Sequence, residues 1–158
     1  GREPNVISSL HLGAENLEQV NQGLQAKLAR IQREEVRFVE EQTDDAELLL
    51  VAFGTVGRVC QTAVRDARAK GIKVGLLRPI TLWPFPSELS KLADRVENML
   101  VVELSLGQMW EDVRMATGCK TKVHLHGRTA GGLPEQADIV DHLKKALASK
   151  GDEIVRNF

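Results

Sequence analysis

Four short apolar runs limit what this chain can fold into: LLLVAF (48–53), KVGLLRPI (73–80), MLVVEL (99–104) and KVHLHG (122–127). Apolar residues follow one another instead of alternating with polar ones, so these runs read as strands buried on both faces. Stretches of helical period lie between them. Val59, Ala63, Val64 and Ala67 share one face of a helix that Gly71 ends. Residues 87–96 read as a second helix, with Pro86 suited to its first position, and 108–117 as a third. A last helix spans 134–147, with Ile139, Leu143, Ala146 and Leu147 on one face and Lys144, Lys145 and Lys150 near its C-terminal end, where the helix dipole favours cations. The order β-α-β-α-β-α-β-α predicts an α/β fold, a three-layer α/β/α sandwich on a mainly parallel sheet.

Residues 1–43 stand apart from this pattern. Leu17, Val20, Leu24, Leu28, Ile31 and Phe38 recur at helical spacings, and polar side chains fill the other positions. The expectation is a long amphipathic brace helix over roughly 15–36, ahead of an α/β domain at 44–158. Lys27 and Glu34 interrupt the apolar seam, which disfavours a self-pairing coiled coil. VRFVEEQ (36–42) reads either as the frayed end of that helix or as a short edge strand.

The totals narrow the function classes. At 158 residues the chain fits one domain with an appended helix. The net charge of −1 supplies no basic stripe to displace phosphate counterions, so nucleic acid is not an expected partner. No apolar run approaches the roughly 20 residues that span a bilayer, so no membrane is expected. The sequence begins Gly-Arg-Glu-Pro with neither an initiator Met nor a signal-peptide pattern, and is expected to be a piece of a longer cytoplasmic protein. Cys60 and Cys119 stand alone, so no iron–sulfur or cysteine-based zinc site is expected within the chain.

In such a sheet, ligands and partners approach the loops that follow the carboxyl ends of the strands. GTVGR (54–58) opens a helix, and Gly54, Thr55 and Gly57 could hold an anion there; a tight strand-to-helix turn is the simpler reading. Arg128 in GRTAGG (127–132) is a second weak anion candidate, able to meet a phosphate or a carboxylate. His124 and His126 lie on one strand face without a third ligand nearby, so a pair of sheet residues is favoured over a metal site; His11 and His142 have no companions in sequence. Ser105 and Gln108 have capping-box spacing, and Glu103 is expected to pair with Arg78 or Arg114.

RPITLWPFP (78–86) gathers three prolines and two of the six aromatics into nine residues. Proline makes this hook stiff, and Arg78, Trp83, Pro84, Phe85, Pro86 and Trp110 form a candidate interface rich in hot-spot residue types. Packing inward over the end of its own sheet is the equal alternative.

DDAELLLVAFGTVGRV, GIKVGLLRPITLWPFP, VVELSLGQMWEDVRMATG and VHLHGRTAGG together resemble the C-terminal region of the α subunit of 2-oxoacid:ferredoxin oxidoreductases. The branched-chain type, acting on 2-oxoisovalerate, is the nearest in pattern, and the likeness runs from about residue 16 to 148. The resemblance implies the fold of the transketolase C-terminal domain. It also implies a complete enzyme that decarboxylates a 2-oxoacid oxidatively to an acyl-CoA, with ferredoxin as acceptor. Thiamine diphosphate, Mg2+ and iron–sulfur clusters would then sit on other subunits or regions, with CoA as a substrate. Partners would be the β and γ subunits, and this domain would serve assembly and active-site support without catalytic residues of its own. Two rivals remain open at this point: a stand-alone protein-interaction module, and a nucleotide- or CoA-binding α/β domain suggested by GTVGR.

Overall fold

A computed structural model describes residues 1–149; Lys150 lies outside the described residues. The chain divides into two compact units, 1–35 and 36–158. The first contains α1 (Ala14–Glu34), on which no residue is buried and whose apolar stripe stays open at Leu17, Leu24 and Leu28.

The second unit is built on a five-stranded sheet: β1 (Phe38–Glu41), β2 (Leu48–Ala52), β3 (Val74–Pro79), β4 (Asn98–Glu103) and β5 (Lys122–Gly127), in the spatial order β1-β3-β2-β4-β5. The four predicted strands run parallel, and β1 is an antiparallel edge strand paired to β3 from Phe38↔Pro79 to Glu41↔Leu76. VRFVEEQ is therefore the edge strand and not a frayed helix end. Through this pairing β1 belongs to the second compact unit. With two exposed and two half-buried residues, β1 suits an edge.

Helices α2 (Gly54–Ala69), α3 (Glu88–Ala93), α4 (Gln108–Ala116) and α5 (Gln136–Ala148) cover the sheet. Alternate residues of the central strands feed two cores. Leu48, Leu50, Ala52, Leu100 and Val102 pack under α2 and α5. Leu49, Val51, Met99, Val101 and Leu125 pack under α3 and α4. Every residue of β2 is fully buried, as a strand covered on both faces requires. Ser87 is the N-cap of α3 and Glu88 its first residue, so Pro86 sits two residues ahead of the first helical position. On α5, Ile139, Leu143 and Ala146 are buried as expected, while Leu147 is exposed and His142 is buried in its stead.

The connection from β1 to β2 crosses close over β3. A Cβ on Gly75 would stand 2.9 Å from the Gln42 carbonyl oxygen and 3.0 Å from the Thr43 Cα, both backbone atoms that cannot swing away. Gly75→Ala should lower stability by about 2 kcal/mol, as overpacking against fixed backbone does. Urea unfolding checks this, and hydrogen exchange should show β1 losing protection first.

Candidate functional site at the carboxyl edge of the sheet

The strand order fixes where a site belongs. From β2 the chain moves outward to β3, then returns across to β4 and continues to β5. The sheet therefore reverses direction between β2 and β4, and a crevice opens there between the loops that lead into α2 and α4. Ala52 pairs with Val102 and Glu103 with Gly127, which sets the first turn of α2 beside the end of β4.

At the α2 side, Gly54 has φ +57 and makes the turn from strand to helix; Gly54 and Thr55 are exposed. Gly57 is not part of an open anion cradle. It is buried, its amide donates to the Phe53 carbonyl at 3.1 Å, and a Cβ there would meet the Ala52 oxygen at 3.3 Å and Arg78 Nε at 3.2 Å. The glycine is thus a packing requirement beneath the Arg78 side chain. Arg78 is half-buried, lies 3.7 Å from Glu41 Oε1 on the neighbouring strand, and keeps a buried Nε without a partner. Gln61 also donates to that Glu41 oxygen, at 2.5 Å. The fourth anion candidate, Arg128, is not gathered with these. It follows β5, two strand positions from β2, or about 10 Å away. Its guanidinium folds over Gly132, where a Cβ would meet Nη2 at 3.1 Å.

At the α4 side the expected capping box does not form. The N-cap is Gly107, at φ 113, and the Ser105 hydroxyl donates to Glu103 Oε2 at 2.7 Å. The same carboxylate oxygen accepts the Met109 amide at 2.9 Å, so Glu103 itself caps the helix from the end of β4. A negative group at this position also suits the helix dipole. Glu103 is only 1% exposed and pairs with neither Arg78 nor Arg114. Its second oxygen, Oε1, is buried without a partner.

Trp110 leaves the candidate interface. It is 7% exposed, its indole donates to the Val123 carbonyl at 2.7 Å, and Arg114 stacks over its ring at 4.8 Å. The hook divides between the two readings of it. Pro84 and Pro86 are buried and Phe85 packs into the core under α3 and α4, whereas Trp83 remains 55% exposed beside exposed Leu82 and Ile80. The Trp83–Pro84 bond is cis. Backbone amides of Ile80 and Thr81 donate to the Arg37 carbonyl at 2.9 and 3.1 Å, and the Thr81 hydroxyl donates to the Pro84 carbonyl at 3.0 Å. The hook is thereby fastened on its inner side and presents Leu82 and Trp83 outward. Leu104, Leu106 and Leu133, in the loops after β4 and β5, add exposed apolar side chains at the same end of the sheet. Several such groups at one edge mark a surface suited to association.

Sequence reasoning missed two arrangements: Glu103 as a cap, and His142, which meets His126 at 3.0 Å between their Nδ1 atoms. Sixteen residues separate those histidines, and only the docking of α5 on β5 brings them together. His124 is buried and bonded to the Asn98 side chain at 3.0 Å. The cysteines stay apart in role. Cys60 is buried under α2 with its thiol pushed up to about 12 by desolvation, and Cys119 is exposed after α4.

The fold and its edge define an α/β domain of the doubly wound class, with an apolar, loop-built face at the switch point and no reactive constellation gathered there among the described residues. Residues 46–139 match the family described as pyruvate:ferredoxin oxidoreductase core domain II, and the chain belongs to that family. It is 46% identical over 149 residues to the ketoisovalerate oxidoreductase subunit VorB of Methanothermobacter thermautotrophicus, a match that covers 94% of this chain and 42% of that one. The 2-oxoglutarate synthase subunit KorA of the same organism is 35% identical over 107 residues, covering 67% of this chain and 28% of the relative. The chain thus spans about two fifths of the length of the ketoisovalerate relative. Among solved structures, it resembles the 2-oxoglutarate:ferredoxin oxidoreductase of Magnetococcus marinus, with a TM-score of 0.77 at 20% identity, over 87% of this chain and 24% of that one. That structure has 2-oxoglutarate, coenzyme A and succinyl-CoA bound.

The division of the hook yields a ranking. Phe85→Ala should cost about 2–3 kcal/mol of stability, and Trp83→Ala under about 1, because only the first empties a core site. Paired denaturant melts measure both. Glu103→Ala should cost about 2 kcal/mol or more, since it strips a buried amide and hydroxyl of their acceptor; the same melts check it.

Proposed function

We propose that this chain is the part of a 2-oxoacid:ferredoxin oxidoreductase subunit that supports assembly, in an enzyme whose substrate is 2-oxoisovalerate. The observation that carries this reading is the 46% identity to a ketoisovalerate oxidoreductase subunit across nearly the whole chain, against 35% over a shorter stretch to a 2-oxoglutarate synthase subunit. The complete enzyme would convert the 2-oxoacid to an acyl-CoA and pass electrons to ferredoxin in the cytoplasm. Its β and γ subunits would be the partners. No described helix is long and apolar enough to cross a membrane.

Mg2+ and the clusters find no set of ligands among the described residues. No group of three His, Cys, Asp or Glu side chains is placed to hold a metal among the described residues. Glu103, the acid at the switch point, is committed to the α4 amide. Cys60 is buried and Cys119 exposed, and two cysteines fall short of the four that hold a cluster. In this reading these groups sit on other parts of the complex, and the role of this domain is to present its edge. Trp83 and Leu82, held outward on a fastened hook, and Leu104 and Leu106 beside them give that edge its apolar character.

The test uses the complete subunit, co-expressed with its partner chains. CoA-dependent viologen reduction should be faster per KM with 2-oxoisovalerate than with 2-oxoglutarate, and the 158-residue chain alone should show none. Trp83→Asp in the full subunit should reduce recovery of the partner chains at least tenfold, about 1.4 kcal/mol of association, while moving the melting temperature of the isolated chain by little. A preference for 2-oxoglutarate would overturn the substrate assignment, and undiminished recovery would overturn the role of the edge.

A further inference from the structure

On the face of the sheet opposite α3 and α4, three histidines are buried. His124 and His126 point from β5 toward α5, and His142 returns from α5. His142 and His126 are 1% and 2% exposed, their rings meet edge to face with centroids 5.2 Å apart, and the two Nδ1 atoms are 3.0 Å apart. At that distance one ring donates its Nδ1 hydrogen to the bare Nδ1 of the other, and burial, which lowers both rings, keeps them neutral. Each ring also carries an Nε2 that is buried without a partner. A proton has one place to go: the bare Nε2 of the donating ring. The resulting imidazolium would sit in an apolar wall made by Leu100, Val102, Ile139 and Leu143.

The surrounding charges do not compensate. Asp138, on the first turn of α5, favours a cation on His126, but Arg128 opposes it. Lys145 from α5 and the rings of His124 and His126 from β5 all oppose a cation on His142. On α2, Asp66 is taken by a hydrogen bond from Gln136, and β4 offers this layer apolar Leu100 and Val102 and the neutral Asn98, which is bonded to His124. We propose that the His126–His142 pair is an acid-opened latch: α5 stays closed on β5 while both rings are neutral, and the buried imidazolium formed at the unpartnered Nε2 favours release of the helix into water. His126 is followed directly by Gly127 and the Arg128–Gly132 loop, so release would also free that loop at the carboxyl edge. The latch stands independently of the proposed function.

The direction of the effect follows from the closed state. Burial, then the neighbouring ring, hold His142 down to about 4, and burial lowers His126 as well. A freed ring titrates near 6.5. The open form therefore binds more protons between these values, and closure is fully favoured above about pH 6.5 and weakens as pH falls toward 4. One ring with these values raises the open fraction about 30-fold at about pH 5 over its value above pH 7.

Hydrogen exchange on the whole chain, corrected for intrinsic rates, reads this directly. Between about pH 7.5 and about pH 5, the protection of α5 amides should fall at least tenfold, while α3 and α4 on the other face hold theirs. In a His126→Leu, His142→Leu double variant, α5 protection should no longer depend on pH over that range. Equal loss from α3, α4 and α5, or unchanged protection of α5 in acid, would overturn the latch, and so would an undiminished pH dependence in the double variant. If the double variant does not fold, the first two outcomes decide the matter on the unaltered chain.

Discussion

Everything in the larger unit depends on burying β2 from both sides. Its five residues, Leu48 to Ala52, are all without solvent exposure. A strand in that position must satisfy its backbone with neighbours on both edges and its side chains with helices on both faces. β3 and β4 supply the edges, α2 and α5 one face, and α3 and α4 the other. Because the chain can reach both edges of β2 only by reversing the direction of winding, the crevice beside Phe53 and Glu103 is a consequence of the same requirement. The place of the carboxyl edge follows from where the core had to be.

Much of this was legible because the apolar runs report burial directly. The four parallel strands, the helices between them and the open loops at their carboxyl ends all follow from periodicity and length. β1 was less legible, since Phe38–Glu41 alternates weakly and its place depends on pairing with a strand some 40 residues onward. The start of α4 was misread for a different reason. Ser105 and Gln108 satisfy a local capping rule, but the Glu103 carboxylate, arriving from β4, offers the first-turn amide a charged acceptor, and a charge-assisted bond outweighs a neutral one. Local rules lose where a strand end brings a stronger group to the same amide.

The hook shows why residue type alone could not decide its role. Proline and aromatic residues serve an interface and a core equally well, and here the nine residues do both. Phe85 continues the core under α3 and α4, and Trp83 two residues before it remains exposed. The contacts that separate these fates are the Ile80 and Thr81 amides on the Arg37 carbonyl and the Thr81 hydroxyl on the Pro84 carbonyl, and none of them involves a proline or aromatic side chain. A rigid element anchored on one face loses little conformational entropy when the other face is covered, which suits it to joining chains.

The buried polar groups point to different purposes on the two faces. Glu103 costs desolvation but accepts two hydrogen bonds that order the start of α4, so most of its burial is offset within the fold. The pair formed by His126 and His142 is different, because one hydrogen bond is set against two nitrogens left without partners. An unmet buried polar group costs roughly 1–3 kcal/mol, and leucines of similar volume would fill this layer without it. Packing alone therefore gives no reason for imidazoles at these positions. What they supply, and an apolar pair would not, is a contact whose burial becomes costly on protonation, with His126 two residues ahead of Arg128.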